Sequence, residues 1–88
     1  MAQFIGQIPE EVDALAAEFD NKAGSIDDII SGLTAKLGAT TWVGADRNRF
    51  EGDWNSQLSS ALRNVGAALR DAAVLARGNA EQQRSASA

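Results

Sequence analysis

The chain contains no cysteine, no histidine and no tyrosine, and it has one proline. Without cysteine there is no disulfide, no thiolate nucleophile and no Cys-ligated metal, and the redox compartment leaves no mark. Without histidine the usual general base and the commonest metal ligand are missing. Positive charge is scarce: 8 Lys and Arg stand against 12 Asp and Glu, a net −4 that argues against a nucleic-acid partner. No apolar run approaches the roughly 20 residues that span a bilayer, so stable membrane insertion is not expected. Residues 1–6 lack the basic start and long apolar stretch of a Sec signal peptide. Export, if it occurs, is expected by another route. Asp27 and Asp28 are adjacent and diverge from a helix, and no nucleophile–base or metal-ligand spacing stands out. The expectation is a protein that is not an enzyme and carries no cofactor or metal.

What the chain has is alanine, 17 of its 39 apolar residues. Alanine favours helices and lets them approach closely, but it buries little area. A single domain of 88 residues built this way is marginal, so a partner is expected on area alone.

Pro9 suits a first helical turn, and Glu10, Glu11 and Asp13 follow it, as a helix N-terminus prefers. Val12, Leu15, Ala16, Phe19, Ala23, Ile26, Ile30, Leu33 and Leu37 then recur with helical period, predicting a helix over about 9–38. The stripe keeps its phase through Gly24-Ser25, which favours one continuous helix over a break capped by Ser25. Gly38 to Gly44 reads as the turn, with Gly38 as a cap and Thr40 and Thr41 as poor helix formers. A second helix is predicted over about 45–78 on the stripe Phe50, Trp54, Leu58, Ala61, Leu62, Val65, Leu69, Ala72 and Ala76. The expected organisation is a lead-in at 1–8, a helical hairpin at 9–78 and a flexible tail at 79–88. The fold class is all-α, an antiparallel helix-turn-helix hairpin. Phe4 and Ile5 either fold back onto the second helix or stay loose.

Charge is divided unevenly: residues 1–44 carry 2 basic and 7 acidic side chains, residues 45–88 carry 6 and 5. Arg63, Arg70, Arg77 and Arg84 fall seven apart on the flank of the second stripe. Folding at residue 42 sets Arg70 near position 14 and Arg77 near position 7, beside Glu10, Glu11, Asp13, Glu18 and Asp20. Weak solvated pairs are the plain expectation, and a register and partner-choice device the sharper one. Lys22, at the stripe's edge, is read as a solvated amine on a stem covering apolar surface.

Trp42 and Gly44 stand at the centre of the chain, between the two amphipathic stretches. Trp42-x-Gly44-Ala45 followed by Phe50, Trp54, Leu58, Leu62, Val65 and Leu69, with Ile26, Leu33 and Leu37 before the turn, resembles the WXG-type, ESAT-like small substrates of type VII secretion. The resemblance covers roughly residues 9–80. It implies a hairpin that dimerises into a four-helix bundle, exported by a type VII secretion ATPase. It also implies a two-part export signal: the Trp-x-Gly turn and a Tyr-x-x-x-Asp/Glu motif beyond the second helix. The partner-binding residues it suggests are Ile26, Ile30, Leu33, Leu37, Trp42, Phe50, Trp54, Leu58, Leu62, Val65 and Leu69, with Trp42 and Gly44 as the turn motif. The tyrosine is missing, and Arg77-x-x-x-Glu81 is at most a degenerate signal, otherwise an i,i+4 surface pair. That departure favours a heterodimer, with another WXG-type hairpin supplying the signal, over a homodimer. The competing expectation is a non-exported helical adaptor or a chaperone for a larger secreted toxin. A membrane-active helix is disfavoured by the acidic balance.

Overall fold

A computed structural model describes residues 6–87, with side chains through 86. Its elements are α1 (Pro9–Ala39), α2 (Ala45–Asp53), a π-helical turn (Trp54–Leu58) and α3 (Ser59–Ser87). α1 and α3 pack antiparallel into a rod of 68 × 18 × 14 Å. No helix among the described residues is long and apolar enough to cross a membrane.

α1 starts where Pro9 removes an N–H that would have no acceptor, and Ile8 O takes the N–H groups of Glu11 and Val12 at 3.0 and 3.1 Å. It runs unbroken through Gly24; Ser25 Oγ donates back to Asn21 O at 3.1 Å rather than capping a new helix. It ends at Ala39 and is capped by Thr40, not by Gly38. Thr40 turns extended, its N–H reaches Leu37 O at 3.3 Å, and its hydroxyl donates to Lys36 O at 2.6 Å. Gly44, at φ +133, begins α2 in a conformation that side-chain-bearing residues rarely adopt, and its carbonyl accepts from Asn48 N at 3.1 Å.

The second arm differs from the expected 45–78 in two ways. A π turn interrupts it, and α3 continues past Gly78 to Ser87. Of the segment expected as a flexible tail, residues 79–87 are helical because Ala80 is fully buried against α1 and Arg84 is held by Asp13 at 2.6 Å. Phe4 and Ile5 lie outside the described residues.

The seam between α1 and α3 is lined at seven-residue intervals. On α1 these positions are Ala16, Ala23 and Ile30, buried, with Leu37 half-buried. On α3 they are Ser59, Gly66, Ala73 and Ala80, all buried. None of these four belongs to the apolar stripe read for the second helix. Small side chains let the two backbones approach, and Leu58, Leu62, Val65 and Leu69 of that stripe lie on the seam's flank.

Candidate pairing surface

On a helix, residues three and four positions from a buried one lie about 60° to one side and 40° to the other. The seam therefore has two flanks, and their chemistry differs. On one flank α1 carries Asp13, Asp20 and Asp27, and α3 carries Arg63, Arg70, Arg77 and Arg84. Arg70 meets Asp27 at 2.7 Å, Arg77 meets Asp20 at 2.8 Å, and Arg84 meets Asp13 at 2.6 Å and Glu10 at 3.6 Å. The hydrogen bond to Asp13, opposed in part by desolvation, raises the Arg84 guanidinium above its ordinary pKa.

These partners differ from those obtained by folding at residue 42. Each Asp–Arg pair is centred between residues 48 and 49, because the turn and α2 lie beyond the packed length of α1. Glu11 is not in the ladder, and Glu18 instead pairs with Lys22 at 3.8 Å, a contact in which the Lys22 side chain stays mostly exposed. Arg77 and Glu81 do not form the expected i,i+4 pair: Arg77 crosses to Asp20, and Glu81 lies 3.8 Å from Arg84.

The opposite flank, called here the back face, is apolar on both helices. α1 contributes Phe19, Ile26 and Leu33, with Leu15 and Ile29 at its margin; α3 contributes Leu62, Leu69, Ala72 and Ala76, with Leu58 and Val65 at its margin. Among the described residues, Leu15, Ile29, Leu33, Leu58 and Val65 are each about half exposed. Of the residues expected to bind a partner, Leu33, Trp42, Phe50, Leu58 and Val65 are exposed, and Ile26, Leu37, Leu62 and Leu69 are half-buried. Ile30 and Trp54, at 7% and 4% exposure, belong to the hairpin's own core.

Trp54 is buried because of the π turn. In a regular helix Trp54 would lie about 140° from Ser59, pointing outward, and Gly52 would lie on the seam line. The extra residue of the π turn rotates the preceding helix by about 100°, bringing Trp54 inward and turning Gly52 out. The indole N–H of Trp54 donates to Thr34 Oγ1 at 3.0 Å. Phe50 stacks on Trp54 with ring centroids 6.3 Å apart, and Trp42 lies against Phe50 at the same separation. Arg47 ties this end together, donating to Trp42 O and to Glu51 Oε2, each at 2.9 Å. Trp42 is left 40% exposed and Val43 89% exposed, forming an apolar tip.

Two features went unread in the sequence. Val74 and Leu75, 70% and 66% exposed, lie off the back face on the outer side of α3. A shallow hollow of about 270 Å³ opens between Gln7 and the side chains of Asn79, Gln82, Gln83 and Ala86; its lining holds amides and no ionisable group.

A scan against protein-family models and searches of curated proteins and of solved structures each found no match.

Proposed function

We propose that this chain is a small hairpin substrate of a type VII, ESX-like secretion system. In this reading it acts by pairing its back face with another WXG-type hairpin and is exported, without a Sec signal, by the type VII ATPase. The observation that carries the reading is the one-sided apolar face, present on both helices and opposite a flank whose three aspartates are each paired with an arginine. A face about 46 Å long, from the 31 residues of α1 at 1.5 Å each, and 18 Å wide offers on the order of 800 Å². That is about one side of a stable protein–protein interface. Two hairpins joined there would form a four-helix bundle. The Trp42-x-Gly44 turn, with its half-exposed indole, supplies one part of the two-part export signal. The chain's lack of tyrosine makes a mixed pair the favoured form, with the partner's tail supplying the other part.

The test is expression in a host with a type VII system and in the same host lacking its ATPase. ATPase-dependent appearance in the culture fluid supports the reading. Trp42→Ala is expected to reduce export or pairing while circular dichroism stays helical; unchanged export and unchanged pairing would count against a role for the turn. Retention in the cell pellet in both hosts would favour the non-exported adaptor or chaperone.

A further inference from the structure

The arginine series is one member longer than the aspartate series. α3 presents Arg63, Arg70, Arg77 and Arg84; α1 presents Asp13, Asp20 and Asp27, and Thr34 occupies the next interval. In the structure Arg84, Arg77 and Arg70 hold the three aspartates. Arg63 donates to its neighbour Ser59 Oγ at 3.5 Å, and among the described residues no carboxylate forms an ion pair with it. Moving α3 by one heptad along α1 would again give three pairs: Asp13 with Arg77, Asp20 with Arg70, Asp27 with Arg63.

The seam tolerates the same shift. In the register set by the ion pairs, Ala16 lies level with Ala80, Ala23 with Ala73, Ile30 with Gly66 and Leu37 with Ser59, and Ile26, one turn before Ile30, also reaches Gly66. After the shift Ala16 faces Ala73, Ala23 faces Gly66 and Ile30 faces Ser59. Leu37 then needs a small residue seven positions before Ser59, and that residue is Gly52. Gly52 reaches the seam line when the π turn relaxes to a regular helix, which removes the rotation that now turns it outward. Each bulky α1 residue on the seam still meets a small one.

The shift is possible in one direction only. Advancing α3 shortens the path between the arms, which the loop at 40–44 can take up as slack. The reverse shift would lengthen that path and would leave Asp13 without an arginine. Holding the present register are the Trp54–Thr34 hydrogen bond, the ring stack on Trp54, and the added contact of Arg84 with Glu10.

We propose that the hairpin has a second register, displaced by one heptad or about 10.5 Å, in which Arg63 pairs with Asp27 and the π turn is α-helical. The slide changes which residues of α1 and α3 stand side by side on the back face, so a partner fitted to one register rejects the other. The pairing surface is thereby gated from within the hairpin.

The absence of native cysteine allows a direct test on the full chain. The pair Ala16→Cys/Ala80→Cys reports the present register, Ala16→Cys/Ala73→Cys the displaced one, and Ala16→Cys/Gly66→Cys serves as the control. Intramolecular disulfide is scored on monomer-sized product under equilibrating thiol conditions. The 16/73 pair is expected to link well above the control. Its yield should rise several-fold when Trp54→Ala and Arg84→Gln are added, and fall back when Arg63→Gln is added. A 16/73 yield equal to the control in every background overturns the proposal. Spin labels at the exposed positions Glu18 and Gln82 avoid the seam: two distance populations support the second register, and a single one, unchanged by Trp54→Ala, overturns it.

Discussion

Gly44 shows how much one residue decides. Its φ of +133 lies where a Cβ is rarely tolerated, and nothing stands within 4 Å of the site where one would be built. The requirement is therefore conformational and not steric crowding from neighbours. Gly44→Ala is expected to cost roughly 1–3 kcal/mol, the range for a residue held in a sparsely populated backbone region. Urea unfolding followed by circular dichroism measures it; an unchanged midpoint would mean that the turn relaxes freely. Trp42, two residues earlier, packs on Phe50 and keeps part of its indole in solvent. The aromatic and the glycine of the motif thus do separate work. The glycine sets the backbone that starts α2, and the aromatic closes the ring stack while presenting an outer surface.

At the scale of elements, the seam makes opposite predictions for two small residues. A Cβ on Gly66 would meet Arg70 Nη1 at 3.8 Å and Ile26 Cγ2 at 3.9 Å, which is ordinary contact. Gly66→Ala should therefore stabilise the hairpin by about 0.5–1 kcal/mol through helix propensity. Ala73, fully buried in the same line, has no such room, and Ala73→Leu should cost about 1–3 kcal/mol or separate the helices. The two thermal midpoints, moving in opposite directions, check the pair. The π turn makes a third prediction. Deleting Asn55, an exposed residue within it, should restore a regular helix with Trp54 four residues before Ser59, about 40° from the seam line and still buried. In a Trp42→Phe background the fluorescence of Trp54 should keep its position; a shift to the red would show that the burial depends on more than the phase set by the extra residue.

These elements also mark what the sequence made legible. The two helical arms, the continuity through Gly24, and the flank position of the arginines follow from period and propensity alone. The partners of the arginines do not, because register depends on where the chain folds back. The midpoint of the ion pairs is near residue 48, which reflects α2 and the π turn, and neither leaves a signal in hydrophobic period. The α1 side of the seam, Ala16, Ala23, Ile30 and Leu37, lies within the stripe read for the first helix, but the α3 side was hidden for a related reason. A stripe is weighted by large apolar side chains, whereas Ser59, Gly66, Ala73 and Ala80 face the partner helix because they are small. Gly78, where the second helix was expected to end, lies on an outer side of α3 where a glycine costs propensity but breaks no contact. The helix continues because Ala80 and Arg84 are anchored beyond it.

For the whole molecule, the question is what such a thin hairpin can sustain alone. Its large buried side chains are Ile30 and Trp54, and the remainder of the buried apolar core is Ala16, Ala23, Ala73 and Ala80. The ion pairs add little: Asp20–Arg77 and Asp27–Arg70 are each about half exposed and worth about 0–1 kcal/mol. A core of that size leaves the separate hairpin marginal, so covering the back face should be coupled to folding. In a solution of this chain alone, the other hairpin at hand to cover that face is a second copy. If it does, the thermal midpoint must depend on protein concentration. Each tenfold increase would add about 1.4 kcal/mol, or several degrees for a domain of this length. Calorimetry over a ~100-fold concentration range, with the mass from light scattering, decides the matter. A rising midpoint and twice the 9.2 kDa mass would show that the face is satisfied by the chain itself. A midpoint that does not move, on a folded species of 9.2 kDa, would show that the seam and the aromatic tip suffice for folding and leave the back face open to a different hairpin.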